Sequence, residues 1–508
     1  MTTDPQSDAI AFFADPRRTG QPVTRIDTHI SHLFLTPDRV WKIKRALRLP
    51  YADFSTLERR TRFCAAEVAL NAPHAPGLYL GAHMIRRGPD GLTLDGPGND
   101  VEPVVEMANF GDDALMTDLA AAGRLDGSML DDLAAAIAAM HQDAARVAQG
   151  GAATVAEVLA INEAGFATSH VLPDAPVARL TADFRVALDR LAPLLDARAA
   201  RGMIRRCHGD LHMGNICLWQ GRLCPFDCIE FNDALAVSDV AYDTAFLLMD
   251  LWRAGMHAQA NRVANRIADR TGDDEAFAVL PFFMALRAAV RAHVTATRAE
   301  GARGSSRHAP LAAEAESYLA LAGDLLTPRT VPGRVVALAG PSGSGKTTLG
   351  EALAPLLAPP PGARLLETDR VRKAMFGVEP TRRLPAAAYA PEVSARVYDA
   401  LVARAGHLAA AGVPVVATAV LDRAADRQAL AASAGVCFAG FRLTAPPDVL
   451  AARLGARARG ASDADAAVLA AQLAKGEEPG PEWPTLDVSG SPAQALSALC
   501  AALGLQTP

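Results

Sequence analysis

The sequence predicts two domains, an α+β domain of two lobes followed by an α/β domain built on a parallel sheet. The chain has 508 residues, which is too long for one ordinary hydrophobic core. Half of the residues are hydrophobic but only 5% are aromatic, so the cores must consist largely of Ala, Leu and Val on helices. Two phosphate-handling motifs, HGDLHMGN at 208–215 and GPSGSGKTT at 340–348, lie far apart and predict one nucleotide site each.

Composition restricts the partners. The formal net charge is -6, which argues against nucleic acid as the main partner and favours small molecules. The segment MTTDPQSDAIAFFADP has acids and prolines where a signal peptide needs positive charge and an unbroken apolar run. Seven cysteines, an odd number, fit reduced thiols. We therefore expect a cytoplasmic protein that binds neither nucleic acid nor membrane; its oligomeric state stays open.

The first domain begins with sheet patterns and continues with helical ones. The segment SHLFLTPDRVWKIKRAL alternates apolar and polar residues around a Pro-Asp turn, which predicts a β-hairpin. The next segment, STLERRTRFCAAEVALN, has Ser55 followed three residues later by Glu58, a capping box that predicts the start of a helix. Ala/Leu-rich helical patterns follow. The prediction is a small lobe over about 20–110 and a helical lobe over about 111–300.

The boundary between the domains is predicted near residue 328. A Gly/Ser-rich hinge and a helix occupy 300–327, and the proline-rich break TPRTVPG follows. RVVALAG then has the continuous apolar character of a buried strand in a parallel sheet. The predicted domains are therefore 1–327 and 328–508.

The first motif contains residues that phosphoryl transfer needs. Asp210 and Asn215 are five residues apart, the spacing that kinase catalytic loops use for one residue at the acceptor hydroxyl and one at magnesium. Asp227 lies on the next predicted strand, in FDCIEF. Together these three supply a carboxylate for the attacking hydroxyl and oxygen ligands for a hard cation. The combination predicts ATP and Mg²⁺ as cofactors.

These stretches, with DVAYDTAFLLMDL downstream, resemble aminoglycoside phosphotransferase-type kinases over roughly 30–300. The whole chain resembles the bacterial bifunctional aminoglycoside phosphotransferase/ATP-binding proteins, which implies a bilobal protein-kinase-like fold followed by a P-loop NTPase domain. By position, the resemblance implies that Asp210 is the catalytic base, that Asn215 and Asp227 are magnesium ligands, and that His208 braces the loop. It also implies a small-molecule acceptor.

A kinase-type site also needs a lysine for the phosphates. Lys42 and Lys44 in VWKIKR point to the same face of the third strand of the small lobe. Lys42 is favoured because it follows the apolar pair Val40-Trp41, and Lys44 is the alternative. Glu67 in the following helix is the expected partner of this lysine.

The acceptor itself is left open by the charges near the motif. Asp239, Asp243 and Asp250 share one face of a predicted helix, where they either receive a cationic acceptor or, as the kinase resemblance suggests, brace the catalytic loop. Arg287 and Arg291 share another helix face and either meet an anionic acceptor or pair with acids.

The second motif has the context that a P-loop requires, because RVVALAG runs into GPSGSGKTT and then into a helix. Backbone N–H groups of such a loop cradle phosphate oxygens at the helix N-terminus. Lys346 is expected to contact the β and γ phosphates, and the hydroxyl of Thr347 to bind magnesium. The other residues predicted to bind the nucleotide are Gly340, Ser342, Gly343, Ser344, Gly345 and Thr348.

Two further features resemble small P-loop kinases of the gluconate kinase and chloramphenicol phosphotransferase type. The strand in ARLLETD brings Asp369 to the carboxyl edge of the sheet, where the resemblance implies a contact with magnesium or the acceptor hydroxyl; a helix N-cap is the alternative. Arg453, Arg457 and Arg459 resemble the arginines of a lid that stabilise charge on the transferred group. Ordinary surface arginines are the alternative there.

One position departs from that resemblance. In GVPVVATAVL, Ala417 stands where related proteins have an Asp at the end of a buried strand, so the usual metal-side carboxylate is missing. The P-loop domain is therefore expected either to be a second ATP-using kinase, with Asp369 taking over that contact, or to bind and slowly hydrolyse ATP and so gate the first domain.

Overall fold

The computed structural model describes residues 6–49, 51–326, 333–435, 437–456, 461–476 and 483–506. The chain forms two compact units, each made of two stretches of sequence. The first contains Met1–Ala156 and Ala192–Asp250, and the second contains Glu157–Leu191 and Leu251–Pro508. This division describes where the chain is densely packed; the predicted boundary near 328 stays a prediction about folding domains.

The small lobe of the first unit is built on antiparallel strands. They are β1 (Thr24–Asp27), β2 (Ser31–Leu35), β3 (Arg39–Lys44), β4 (Arg48–Leu49), β5 (Ala52–Asp53), β6 (Tyr79–Gly88), β7 (Gly91–Leu94) and β8 (Asn99–Ala108). Six of them form one sheet in the order β1-β2-β3-β8-β6-β7, and β4 pairs with β5. The predicted hairpin is confirmed as β2 and β3, and the two lysines of β3 lie beside the helix that follows.

Helices alternate with these strands and follow them along the chain up to Arg253, and two of them, at 151–167 and 174–200, fall largely in the second unit. The helices are α1 (Ser7–Ala14), α2 (Pro16–Thr19), α3 (Leu57–Asn71), α4 (Met116–Ala121), α5 (Gly127–Asp143), α6 (Gly151–Ala167), α7 (Asp174–Ala200), α8 (Asp233–Ala236) and α9 (Val240–Arg253). The predicted capping box of α3 is wrong by one residue. Thr56 is the N-cap and accepts from the backbone N–H of Arg59, because the Ser55 hydroxyl instead donates to Asp53 at 2.6 Å.

The HGDLHMGN motif lies in a loop between short strands. These are β9 (Ile204–Arg206), β10 (Ile216–Trp219), β11 (Arg222–Pro225) and β12 (Val237–Asp239). Strand β9 pairs with β12, and β10 forms a hairpin with β11. The loop therefore leaves one two-stranded ribbon and enters another, which fixes both of its ends.

Three long helices precede the second sheet along the chain: α10 (His257–Thr271), α11 (Ala276–Gly301) and α12 (His308–Leu326). Helix α11 is long and apolar enough, by length and composition, to cross a membrane. However, 67% of its most apolar window is buried inside the protein, as in the core helix of a helical bundle.

From Val335 onward the second unit is a parallel α/β domain. Its elements are β13 (Val335–Ala339), α13 (Lys346–Leu353), β14 (Arg364–Glu367), α14 (Thr368–Met375), α15 (Pro391–Ala410), β15 (Val415–Ala419), α16 (Ala424–Ser433), β16 (Phe438–Thr444), α17 (Pro447–Ala456), α18 (Ala466–Lys475), β17 (Thr485–Asp487) and α19 (Pro492–Leu503). All five strands run parallel in the order β14-β15-β13-β16-β17. The central strand β13 leads directly into the GPSGSGKTT loop, so the predicted P-loop fold is confirmed.

Helix α10 covers the edge strand β14 of this sheet. The side chain of Asn265 accepts from the N–H of Leu365 at 2.7 Å and donates to the carbonyl of Ala363 at 3.1 Å. Asn261 donates to the same carbonyl at 3.0 Å. An edge strand exposes unpaired backbone groups unless something covers it, and here the asparagines of α10 supply the missing partners.

Candidate active sites

The structure brings Asp210 and Asn215 into direct contact. The Nδ2 of Asn215 donates to the backbone carbonyl of Asp210 at 3.0 Å and to its Oδ2 at 2.9 Å. The Nε2 of His212 lies 3.4 Å from the same Oδ2. Because the amide nitrogen of Asn215 is engaged, its amide oxygen is the atom that can bind a cation. The motif thus holds the carboxylate of Asp210 in place and leaves the amide oxygen of Asn215 as a possible cation ligand.

Lys42 links this loop region to the small lobe. Its Nζ lies 2.8 Å from Oε1 of Glu67 and 2.5 Å from Oδ1 of Asp227. Strand β11 ends at Pro225, so the expectation that Asp227 lies on the strand is wrong; it follows the strand with φ of +61°. Left-handed backbone is uncommon for residues other than glycine and often marks functional sites. Tyr79 supports it by accepting from the Asp227 N–H at 3.0 Å.

Lys44 occupies the deeper of the two lysine positions. Its Nζ donates to Oε2 of Glu67 at 2.6 Å and forms a short ion pair with Glu230. Both lysines therefore point to one face, as predicted, and share Glu67. Only Lys42 also reaches Asp227, and Lys44 is 1% exposed, which favours Lys42 for phosphate. Glu230 was missed, although it stands in FDCIEF.

Electrostatics favours the charged forms of Glu67 and of the two lysines. Burial alone would raise the pKa of Glu67, but the ammonium groups of Lys42 and Lys44 outweigh burial and lower that pKa to about 2. Burial alone would lower the pKa of each lysine, and the surrounding carboxylates instead raise it. Such buried charges persist only because each has a partner.

His208 and Asp243 brace the catalytic loop. The Nε2 of His208 lies 2.9 Å from the carbonyl of Phe226, and burial lowers the pKa of His208. Asp243 accepts from the backbone N–H of His208 at 3.3 Å and of Gly209 at 2.8 Å, and lies 2.9 Å from Nε2 of His141. These bonds fix the backbone just before the predicted catalytic base.

The other two acids of the predicted stripe also have partners. Asp239 forms two hydrogen bonds of 2.8 Å with the guanidinium of Arg198, and both side chains are buried. Asp250 accepts from the N–H of Met213 at 3.2 Å. This geometry supports the bracing interpretation of the stripe. In the second unit, the guanidinium of Arg291 lies 5.4 Å over the ring of Tyr318.

The P-loop has the backbone that a phosphate cradle needs. Gly340 and Gly343 have φ of +146° and +83°, and a Cβ on Gly343 would lie 2.5 Å from the carbonyl of Leu450. Only glycine fits there. The Nζ of Lys346 donates to the carbonyls of Gly340 and Pro341, each at 2.8 Å. The remaining predicted cradle residues lie in the same loop and the first turn of α13: Ser342, Ser344, Gly345, Thr347 and Thr348.

Thr347 contacts an acid that sequence reasoning missed. Its hydroxyl donates to Oε2 of Glu367 at 2.8 Å. Glu367 is the last residue of β14, is 5% exposed, and lies beside Thr418 of β15 in the sheet. The usual position of an acid, on β15, is occupied by Ala417, whereas Glu367 comes from the neighbouring strand β14. The available signal was an acid closing a buried strand.

Asp369 lies in the first turn of α14, close to the P-loop lysine. Glu367 is the N-cap of that helix and makes no side-chain cap bond, so the N-cap alternative for Asp369 is wrong. Burial raises the pKa of Asp369, and a hydrogen bond with Ser462 and the charge of Lys346 act in the opposite direction. The structure therefore places Asp369, Lys346 and the segment before α18 together.

The structure describes only one of the three arginines predicted to form a lid. Arg453 donates to the carbonyls of Ser489 at 3.2 Å and Gly490 at 2.9 Å, so its guanidinium has backbone partners in the loop before α19. Arg457 and Arg459 lie outside the described residues. Gln472 of α18, which was not predicted, accepts from the N–H of Ser342 at 2.8 Å. The lid role of the arginines stays a prediction.

Both sites have donor sets that fit a hard divalent cation and phosphate. Asn215 and Asp227 offer amide and carboxylate oxygens in the first site, and Thr347 offers a hydroxyl beside Glu367 in the second. Lysines lie beside both sets. The fold and the sites define the class of protein: a kinase-like unit joined to a P-loop nucleotide-binding domain.

Comparisons with known proteins agree with this class. The family model described as AAA domain (AAA_33) matches residues 335–479. The uncharacterized protein Rv2004c of Mycobacterium tuberculosis (strain ATCC 25618 / H37Rv) is 32% identical over 465 residues, covering 88% of this chain and 89% of the relative. The uncharacterized protein Mb2027c of Mycobacterium bovis (strain ATCC BAA-935 / AF2122/97) matches with the same identity and coverage. The chain belongs to the family of these mycobacterial proteins.

Solved structures resemble each part. A gluconokinase from Sinorhizobium meliloti 1021 is 27% identical, with a TM-score of 0.26, covering 35% of this chain and 94% of its own. A choline/ethanolamine kinase family protein from Mesorhizobium loti is 16% identical, with a TM-score of 0.41, covering 64% and 95%. Wild-type aminoglycoside 2'-phosphotransferase-IIIa in its GDP complex is 15% identical, with a TM-score of 0.37, covering 62% and 99%.

Proposed function

We propose that the protein is an ATP- and magnesium-dependent phosphotransferase whose first unit transfers the γ-phosphoryl group of ATP to a hydroxyl of a small molecule. The position of Lys42 between Glu67 and Asp227 carries the proposal. A phosphate-binding lysine held by a helix glutamate, next to a metal-binding carboxylate, is the arrangement that kinases use to orient a nucleotide.

Each residue of the catalytic loop has a distinct task in this proposal. Asp210 accepts the proton of the acceptor hydroxyl, and the amide of Asn215 holds its carboxylate in place. Asp243 fixes the backbone that carries Asp210. Asn215 and Asp227 would hold Mg²⁺, which neutralises charge on the phosphates when bound. Lys42 then positions those phosphates.

The P-loop domain is proposed to bind a second ATP. Its glycine-rich turn offers backbone N–H groups, Lys346 offers an ammonium, and Thr347 a hydroxyl beside a carboxylate. We propose that this domain is a second kinase. The alternative is a regulatory nucleotide site with slow hydrolysis that gates the first unit, and the apolar Ala417 at the usual position of an acid favours it.

We further propose that the protein works in the cytoplasm on a small-molecule acceptor, with no nucleic acid or membrane partner. The buried apolar face of α11 and seven free cysteine thiols support this location.

The test is ADP formation from ATP and Mg²⁺ with a pooled extract of small metabolites as the acceptor source. Asp210→Ala should lower acceptor-dependent turnover by about 10²- to 10⁴-fold, because it removes a general base. Asp90→Asn, which changes an exposed acid in the β6–β7 turn, is the matched control and should leave turnover unchanged. Lys346→Ala reports the contribution of the P-loop.

Each pattern of loss has a separate meaning. Turnover lost only in Asp210→Ala makes the first unit the kinase, and partial loss in both variants supports two working kinases. Turnover that survives Asp210→Ala nearly unchanged contradicts the assignment of the base. Loss in Lys346→Ala alone moves the transfer to the P-loop domain.

A further inference from the structure

A chain of contacts in the second unit ends at the P-loop threonine. Asp269 on α10 lies 3.3 Å from Nη1 of Arg370. The Nε of Arg370 donates to Oε1 of Glu367 at 2.8 Å, and Oε2 of Glu367 accepts from Thr347 at 2.8 Å. The two carboxylate oxygens of Glu367 thus have different partners: one faces an arginine and the other faces the P-loop hydroxyl.

We propose that Glu367 is the metal-side carboxylate of the P-loop site, in place of the acid missing at Ala417, and that Asp269 of α10 positions it through Arg370. The inference rests on the proposed binding of ATP by the P-loop domain and deepens it. Glu367 contacts the hydroxyl expected to bind magnesium, whereas Asp269 acts through the arginines that face Glu367: mainly Arg370, and also Arg266, which lies 3.5 Å from Asp269.

Sheet register explains how a different strand can supply the acid. Glu367 closes β14 at the level of Thr418 on β15, one residue beyond Ala417. The carboxyl ends of parallel strands meet at one edge of the sheet, where ligands bind in open α/β folds. A side chain from β14 must reach across β15 to the P-loop, and glutamate is one methylene longer than aspartate. The contact with Thr347 shows that it reaches.

Two guanidinium groups hold the carboxylate of Glu367 in place. A buried carboxylate needs paired cations, and Arg370 donates to it directly, while Nη1 of Arg266 on α10 lies 3.9 Å from the same Oε1. Arg266 also pairs with Glu351 of α13. Through Arg266, helix α10 therefore contacts two elements next to Thr347: Glu367 at the end of β14, and Glu351 on helix α13, which begins at Lys346.

Asp369 is the competing candidate, and its surroundings differ. Its pKa is raised by burial, and its hydrogen-bond partner is Ser462 in the segment before α18. The hydroxyl of Thr347 donates instead to Glu367. This arrangement leaves Asp369 for the acceptor or the lid, and assigns the metal side to Glu367.

The experiment measures the affinity of the full-length protein for a fluorescent ATP analogue, once with Mg²⁺ and once with EDTA. Binding that is lost in Lys346→Ala is assigned to the P-loop site. In Glu367→Gln, the affinity of this site for the analogue should fall about 10- to 100-fold with Mg²⁺, the range found for groups that orient metal ligands. With EDTA, the same affinity should change little. Asp269→Asn should weaken it less, again only with Mg²⁺. Glu379→Gln, an exposed acid of the same unit, should change neither.

The outcomes separate this inference from the proposed function. Unchanged magnesium dependence in Glu367→Gln, or its loss in Asp369→Asn instead, overturns the assignment of Glu367 while the P-loop still binds ATP. Binding that Lys346→Ala does not affect overturns the proposed ATP site and this inference with it. If Glu367→Gln does not fold, Glu367→Asp provides the test: its carboxylate is one methylene shorter and should not reach Thr347, so binding should weaken only with Mg²⁺.

Discussion

The two candidate sites hold their acids with different cations, and the difference predicts how each depends on the rest of the protein. In the first site, Lys42 pairs directly with Asp227. The lysine expected to bind phosphate and the carboxylate expected to bind magnesium therefore hold each other in place. In the second, Lys346 donates to the carbonyls of its own loop, and Glu367 is held by Arg370. The first site is thus completed by its own charges, and the second by support from helix α10.

The largest expected effect follows from the shared acid of the first site. Glu67→Gln leaves the buried ammonium groups of Lys42 and Lys44 without their common partner. Removing one member of a buried ion pair typically costs about 3–5 kcal/mol. Chemical denaturation of the full chain, monitored with a spectroscopic probe in the first unit, should show this loss in the free energy of unfolding. Glu58→Gln on the exposed face of the same helix is the control; a loss below about 1 kcal/mol in Glu67→Gln would contradict the pairing.

Most of the fold could be predicted from the sequence, because its strands and helices follow from local patterns and from the two motifs. The hairpin of β2 and β3 follows from alternation around a Pro-Asp turn, and β13, the P-loop and α13 follow from an apolar strand with a glycine-rich turn. The role of α10 could not be predicted. Asn261 and Asn265 cover an edge strand about a hundred residues away in sequence, and helical periodicity says nothing about such long-range partners.

Site residues were predicted where the spacing within one motif defines their role, and were missed where a contact with another element defines it. Asp210 and Asn215 are brought together as their spacing indicates. Glu230 and Glu367 were missed because the role of each depends on a contact with a distant element: Lys44 of β3 for Glu230, and Thr347 at the start of α13 for Glu367. Strand order, which sequence alone does not fix, decides which acid faces the P-loop.

An effect of intermediate size is expected at the turn after α10, whose ion pairs hold the strand and helix next to the second site. Asp274 pairs with Arg364 of β14 and with Arg404 of α15. Burial alone would raise the pKa of Asp274, but these guanidinium groups lower it to about 2, from an ordinary value of 3.8. Because the folded pKa is depressed, the stabilisation is present above pH 3.8 and is lost as the pH falls toward 2. It amounts to about 2 kcal/mol.

Urea denaturation of wild type and Asp274→Asn at several pH values measures this contribution. The difference in free energy of unfolding should be about 2 kcal/mol at pH 6 and should shrink as the pH falls below 4. Asp399→Asn, on helix α15 of the same unit, is the control. A difference that stays constant from pH 6 to pH 3 would show that the ionised form of Asp274 is not what stabilises this region.

The smallest expected effect compares the helices that support the two sites. Helix α3, which carries Glu67, starts on the side-chain cap of Thr56, whereas α10 starts after Met256 without one and depends on its packing. Thr56→Ala should therefore cost about 1 kcal/mol of unfolding free energy. Ser55→Ala is the matched control, because Ser55 bonds to Asp53 in the preceding turn and should matter less. Equal losses, or a larger loss in Ser55→Ala, would restore the capping box predicted from sequence and would place the start of α3 one residue earlier.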